Sequence, residues 1–332
     1  MYFSRALRSA SQKSTAKNAG NKWNVFADTS AGYTKYERGS YQNDEDLGNF
    51  NLMVGLDRLF DLGCGNLTVG GFFEYGLGYH SGRAEADRVL GGIIPVHGSQ
   101  KNEFTSQNFG GGLFAQYNSP DFGPGHFYAD GAFRMGAATN SHKSDSDASV
   151  TALTTGTLNL DTRFDSTRLY VGADFALGYV WEPVEKLAVN VYGRGSYLFL
   201  GDDSGTVHSN SKGTGPVFGN QAYNASASYG YRFDSLNSFR LRPGARVSYA
   251  ATNWLTPYIG AAYEYDFTEA DHFYQPTVNA RDVQPDLSGS TGILEAGLYL
   301  RPLKSLSVNL GAQGYVGNQS GIAGLLSVGL SF

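Results

Sequence analysis

From Trp23 onward, apolar and polar side chains alternate one by one through most of the chain. Trp23, Val25, Ala27, Thr29, Ala31 and Tyr33 share one face, and Asn24, Phe26, Asp28, Ser30 and Gly32 share the other. A period of two marks a half-buried strand, because successive side chains of an extended backbone point to opposite sides. Phe50, Leu52, Val54 and Leu56 repeat the pattern, and so does the run from Leu67 to Tyr79. Further segments follow at 108–118, 126–140, 167–181, 188–201, 238–250, 255–266, 291–301, 306–316 and 322–332, giving twelve predicted strands.

The connections alternate between two kinds. Short turns rich in Gly, Pro, Asp or Asn lie at FDLGCGN, SPDFGPG, EPVEK, AATNW and RPLKS, as tight reversals require. Longer polar connections are predicted as loops at 37–47, 81–106, 141–166, 202–237 and 267–290, with a brief one near Asn318. Residues 217–233 alternate well enough for a thirteenth strand. A thirteenth crossing would move the AATNW turn to the long-loop side, so this segment is read as part of the fourth loop. Short turns at one end and long loops at the other describe a transmembrane β-barrel.

What lies on the less apolar face separates a barrel from a soluble sandwich. A sandwich would carry Lys and Glu there for water. This chain places Gly, Ala and Ser there, with sparse charges at Asp28, Asp57, Glu74, Asp130, Arg134, Asp174, Arg194, Arg240, Arg242, Arg246, Glu264 and Glu295. Such a mixture suits a polar lumen, and Trp23, Tyr33, Tyr79, Tyr117, Trp181, Tyr249 and Trp254 near strand ends suit interfacial belts. The fold class predicted is all-β: a twelve-stranded antiparallel transmembrane β-barrel over 22–332, integral to a bacterial outer membrane and bounded by its lipid. Residues 1–21 are read either as a linker or as a short helix in the lumen.

Composition narrows the function. The formal net charge of -5 argues against nucleic acid as a partner, since phosphate binding wants a basic stripe. No apolar run is long enough for a transmembrane helix. A single cysteine, Cys64, excludes an internal disulfide framework. The first residues lack the apolar core of a signal peptide, so the chain is expected to be a piece of a longer polypeptide. GxSxG, HExxH and phosphate-cradling patterns are missing, and Gly110–Gly112 sits inside a strand,. No catalytic residue, cofactor or metal is assigned, and the chain is expected not to be an enzyme. His80, His97, His142, His208 and His272, with Asp202, Asp203, Asp266 and Asp271, fall in or beside the predicted loops; a rim protease built from them is a minor alternative.

Arg240, Arg242 and Arg246 share one face,, with Glu264 and Glu295 on following strands able to oppose them. A ladder that fixes strand register is one reading, and a grip on a threaded segment is the other. The carboxylates on earlier strands predict an acidic wall, against which the basic residues Arg5, Arg8, Lys13 and Lys17 are expected to rest.

The closing stretch GIAGLLSVGLSF resembles the C-terminal signature of bacterial outer-membrane barrels, with Phe332, Leu330 and Val328 as the implied assembly signal. KWNVFADTSAGYTKYERGSY, FNLMVGLDRLF, SFRLRPGARVSYA with LTPYIGAAYEYDF, and GLLSVGLSF resemble, in this order, the translocator β-domain of autotransporters, the type V secretion proteins. The resemblance covers Lys22 to Phe332. It implies a lumen holding a linker, export and anchoring of an N-terminal passenger, and help from the barrel-assembly machinery and periplasmic chaperones. Some family members cut themselves at an Asn-Asn step; no such pair exists here, so self-cleavage is not carried over. A stand-alone porin or adhesin barrel is the other alternative.

Overall fold

The computed structural model describes residues 22–36, 45–90, 94–152, 154–214, 222–268, 273–274 and 288–332. Fifteen strands run through them in one sheet: β1 (Lys22–Tyr36), β2 (Glu45–Asp61), β3 (Asn66–Leu90), β4 (Ile94–Asn118), β5 (Gly125–Ala152), β6 (Thr154–Val184), β7 (Leu187–Leu200), β8 (Asp203–Thr214), β9 (Tyr223–Phe233), β10 (Leu236–Tyr249), β11 (Leu255–Asp266), β12 (Phe273–Tyr274), β13 (Gly289–Leu300), β14 (Leu306–Gly317) and β15 (Gln319–Ser331). Residues 1–21, with the linker or helix expected there, lie outside the described residues.

Twelve of these strands form a closed ring. Each of β1–β7 pairs antiparallel with the next, β7 pairs with β10, and β11, β13, β14 and β15 follow in order. The ring shuts where β1 meets β15 over a continuous register from Asn24↔Ser331 to Tyr36↔Gln319. Two backbone bonds finish the seam: Trp23 N–H donates to Phe332 O at 3.1 Å, and Phe332 N–H to Trp23 O at 2.9 Å. Closure leaves no strand edge in hydrocarbon, where an unpaired peptide group costs several kcal/mol.

Alternation sets what each wall shows. Outward positions such as Phe73 (80% exposed), Leu169 (72%) and Leu177 (63%) form the apolar band for lipid, while Phe26, Glu74, Arg134 and Arg242 between them are buried toward the lumen. Trp23, Tyr79, Tyr249 and Trp254 stay exposed near strand ends, the positions of the interfacial belts. Exposed Cys64 sits in the short β2–β3 turn.

The predicted loops at 81–106 and 141–166 need correction. They are stems: β3 and β4 stay paired up to Leu90↔Ile94, and β5 and β6 up to Ala152↔Thr154. Polar residues on both faces read as loop in sequence, yet the backbone ladder does not depend on which side chains flank it. The fourth loop also carries structure. The β8–β9 hairpin joins the β6 stem through Thr157↔Thr214 to Arg163↔His208, and β12 adds a short edge on β9. Residues 223–233 therefore form an outer strand above the barrel, not a thirteenth crossing.

The inner wall as candidate functional site

Inward aromatic rings lie along the wall instead of projecting across the bore. Phe26, Met53, Phe72 and Phe114, from β1 to β4, pack as one buried cluster, with Phe26 edge-on to Phe114 at 6.0 Å. Tyr128, Val180 and Tyr192 form a second. Each ring can lie flat because the neighbouring strand offers a glycine beneath it. A Cβ on Gly178 would meet Tyr128 ring atoms at 2.5 Å, and one on Gly55 would collide with Phe26.

Glycine paths also let polar groups reach past a strand. Glu74, Gly110, Gly136 and Tyr170 stand in one cross-strand row. Tyr170 Oη crosses both glycines and donates to Glu74 Oε1 at 2.6 Å. Arg246 similarly passes Gly260 to reach Glu295 on β13: its Nη2 and Nε stand 2.6 and 2.7 Å from Glu295 Oε1.

The twelve charged residues read as inward fall into two different arrangements. On β10–β13 the pairs are close. Arg242 donates to Glu264 Oε2 from Nε and Nη2, both at 2.8 Å, and Arg246 meets Glu295, which also accepts from Gln313 at 3.3 Å. Arg240 pairs at 2.7 Å with Asp266, a partner that sequence reasoning had assigned to the rim. On β1–β6 the contacts are looser. Arg134 stands 3.5 Å from both Glu74 and Asp174. Asp57 accepts from Asn24 at 2.8 Å, and Asp28 from Ser327. Arg194 on β7 stacks over Tyr192 at 4.6 Å, and Ala176 separates it in register from Asp130. The β1–β6 wall thus carries five carboxylates (Asp28, Asp57, Glu74, Asp130, Asp174) and two guanidiniums, Arg134 among the carboxylates and Arg168 at the mouth. From β7 onward, Arg194, Arg240, Arg242 and Arg246 face Glu264, Asp266 and Glu295.

At the mouth, buried Arg168 donates to Gly201 O at 2.6 Å and to Asp234 O at 2.5 Å, holding both ends of the β8–β9 insertion. Above it a row of rings crosses the outer sheet: Phe104, His142, Phe164 and Tyr231, with His142 stacked on Phe164 at 4.8 Å. Burial beside His80 lowers the His142 pKa from its ordinary value. The rim His/Asp set is not assembled among the described residues. His142 is in this ring row, His208 bonds Ser228 at 3.1 Å, and Asp203 accepts from Tyr231; His272 and Asp271 lie outside the described residues.

A closed twelve-strand ring with an apolar outer band and a polar bore defines an integral outer-membrane β-barrel. The autotransporter β-domain family model matches residues 25–313, and the chain belongs to that family, as an outer-membrane translocator domain for a passenger. Solved structures agree in fold. The transport unit of AIDA-I from Escherichia coli is 14% identical with a TM-score of 0.52, covering 100% of this chain and 99% of that one. The β-domain of Bordetella BrkA is 15% identical with a TM-score of 0.50, covering 94% and 100%. An outer-membrane channel from Pseudomonas putida F1 is 11% identical with a TM-score of 0.51, covering 95% and 96%. No curated protein sequence matches the chain.

Proposed function

We propose that the β1–β6 inner wall is the seat of residues 1–21 during and after passenger export. The observation that carries this reading is charge. Five carboxylates stand on that wall with two guanidiniums, Arg134 and Arg168, the second of which is held by backbone carbonyls, while residues 1–21 hold Arg5, Arg8, Lys13 and Lys17 and no acidic side chain. The twelve-strand bore also suits the size of the guest, being wider than a filled eight-strand barrel and narrower than an open porin. On this reading residues 22–332 are the anchoring and exporting unit, and the chain acts as a conduit, not a catalyst. The last strand, with half-buried Val328 followed by exposed Leu330 and Phe332, is the docking strand for the barrel-assembly machinery and its chaperones; its outward apolar row supports this.

Planar-bilayer conductance tests the seat. Asp130→Lys with Asp174→Lys is expected to expel the basic segment and raise single-channel conductance severalfold. Conductance equal to the parent in a folded variant would refute the seat. A stand-alone porin would instead conduct freely with residues 1–21 present.

A further inference from the structure

The lipid-facing side of β4–β7 carries a groove of about 480 Å³ just above the short-turn end of the barrel. Tyr117, Phe127 and Tyr179 make one wall and Leu177 and Val191 flank it. Its floor opens at Gly193, where an added Cβ would meet nothing within 4 Å. The ring wall is braced before any ligand arrives. Tyr117 Oη donates to Cys64 O at 2.5 Å, Tyr179 Oη donates to Phe122 O at 2.9 Å, and Phe127 packs on Tyr179 at 4.7 Å. A braced, apolar recess within the band that faces hydrocarbon matches an acyl chain, since a preformed site spares the occupant ordering cost.

The rim beside the groove selects a head group. Its turns present exposed Asp61, Asp121 and Glu185, with Lys186 held in the left-handed region (φ 72°) at the tip of the β6–β7 turn. The opposite arc of the same rim carries Arg301 and Lys304, on the β13–β14 turn. Next to the groove, an amine finds carboxylates and a phosphate finds one ammonium, whereas a head group of net negative charge meets repulsion. We propose that this groove seats a phospholipid of the periplasmic leaflet through one acyl chain, and that it prefers a phosphoethanolamine head group to an anionic one.

Native mass spectrometry of the full chain tests this, in micelles supplied with equimolar phosphatidylethanolamine and phosphatidylglycerol. The parent should retain the ethanolamine lipid at least tenfold over the glycerol lipid. Gly193→Leu fills the floor and should abolish retention. Gly314→Leu, at a second glycine with open space around its Cβ but on β14, should leave retention intact. Asp121→Lys with Glu185→Lys changes only exposed turns and should reverse the preference. Equal retention of both lipids by the parent, retention by folded Gly193→Leu, or an unreversed preference in the turn variant would each overturn the proposal. Should Gly193→Leu not fold, the turn variant decides alone.

Discussion

The two halves of this barrel close one ring with different materials. Strands β2–β6 run 17 to 31 residues and rise past the membrane into a polar sheet. Beyond β7, the spanning strands run 12 to 14 residues and stop at the rim. On the short half, arginines and carboxylates meet at 2.6–2.8 Å. On the long half Arg134 serves two carboxylates at 3.5 Å, and aromatic rings on glycines do most of the filling. One half fixes its register with ion pairs and keeps little charge to spare. The other packs rings on glycines and meets its carboxylates largely with neutral donors, Asn24, Ser327 and Tyr170.

The largest expected effect comes from unpairing the short half. Glu264→Ala leaves the Arg242 guanidinium, 4% exposed, without either bond, and should cost about 3–5 kcal/mol. Urea unfolding followed by gel mobility reads this. Glu74→Ala on the long half should cost less, because Arg134 keeps Asp174 and the other group to lose a bond is the neutral Tyr170 hydroxyl, which keeps Asn108; equal losses would erase the distinction between the halves.

Next in size is the ring-on-glycine packing. Gly178→Ala drives a methyl into Tyr128 and should cost about 1–3 kcal/mol. In a Tyr128→Ala background the added cost should fall close to zero, since the three atoms nearest to that methyl all belong to Tyr128. A double-mutant cycle without coupling would show that the ring does not set the fit.

The smallest effect concerns the outer sheet of the long half. Burial, with His80 nearby, lowers the His142 pKa, so its folded value lies below the unfolded value of about 6.5. Between those values the unfolded stem binds more protons, and stability rises with pH. Protection factors of the 139–167 stem, taken against the intrinsic exchange rate at each pH, should fall as pH drops from 7.5 to 5.5. His142→Phe should remove most of that pH dependence, while short-half amides stay unchanged in both proteins.

The twelve crossings are legible in sequence because lipid on one side and lumen on the other enforce strict alternation. The stems above the membrane are not, because water on both faces erases that contrast: Ser141, Ser144, Ser146 and Ser149 give no period. Inward charges are likewise readable one strand at a time, but their partners are not. Arg246 reaches Glu295 across an intervening strand, over Gly260, and only the register of three strands together reveals that path. Asp266 reads as the last residue of a predicted strand, beside the rim, until the β10–β11 ladder sets it opposite Arg240.

The seam between Trp23 and Phe332 joins the first and last strands of the ring. A ribosome makes β15 after every other strand, so the cylinder cannot seal while synthesis is under way. Until β15 has been made and has reached β1, both of these strands keep an unpaired edge.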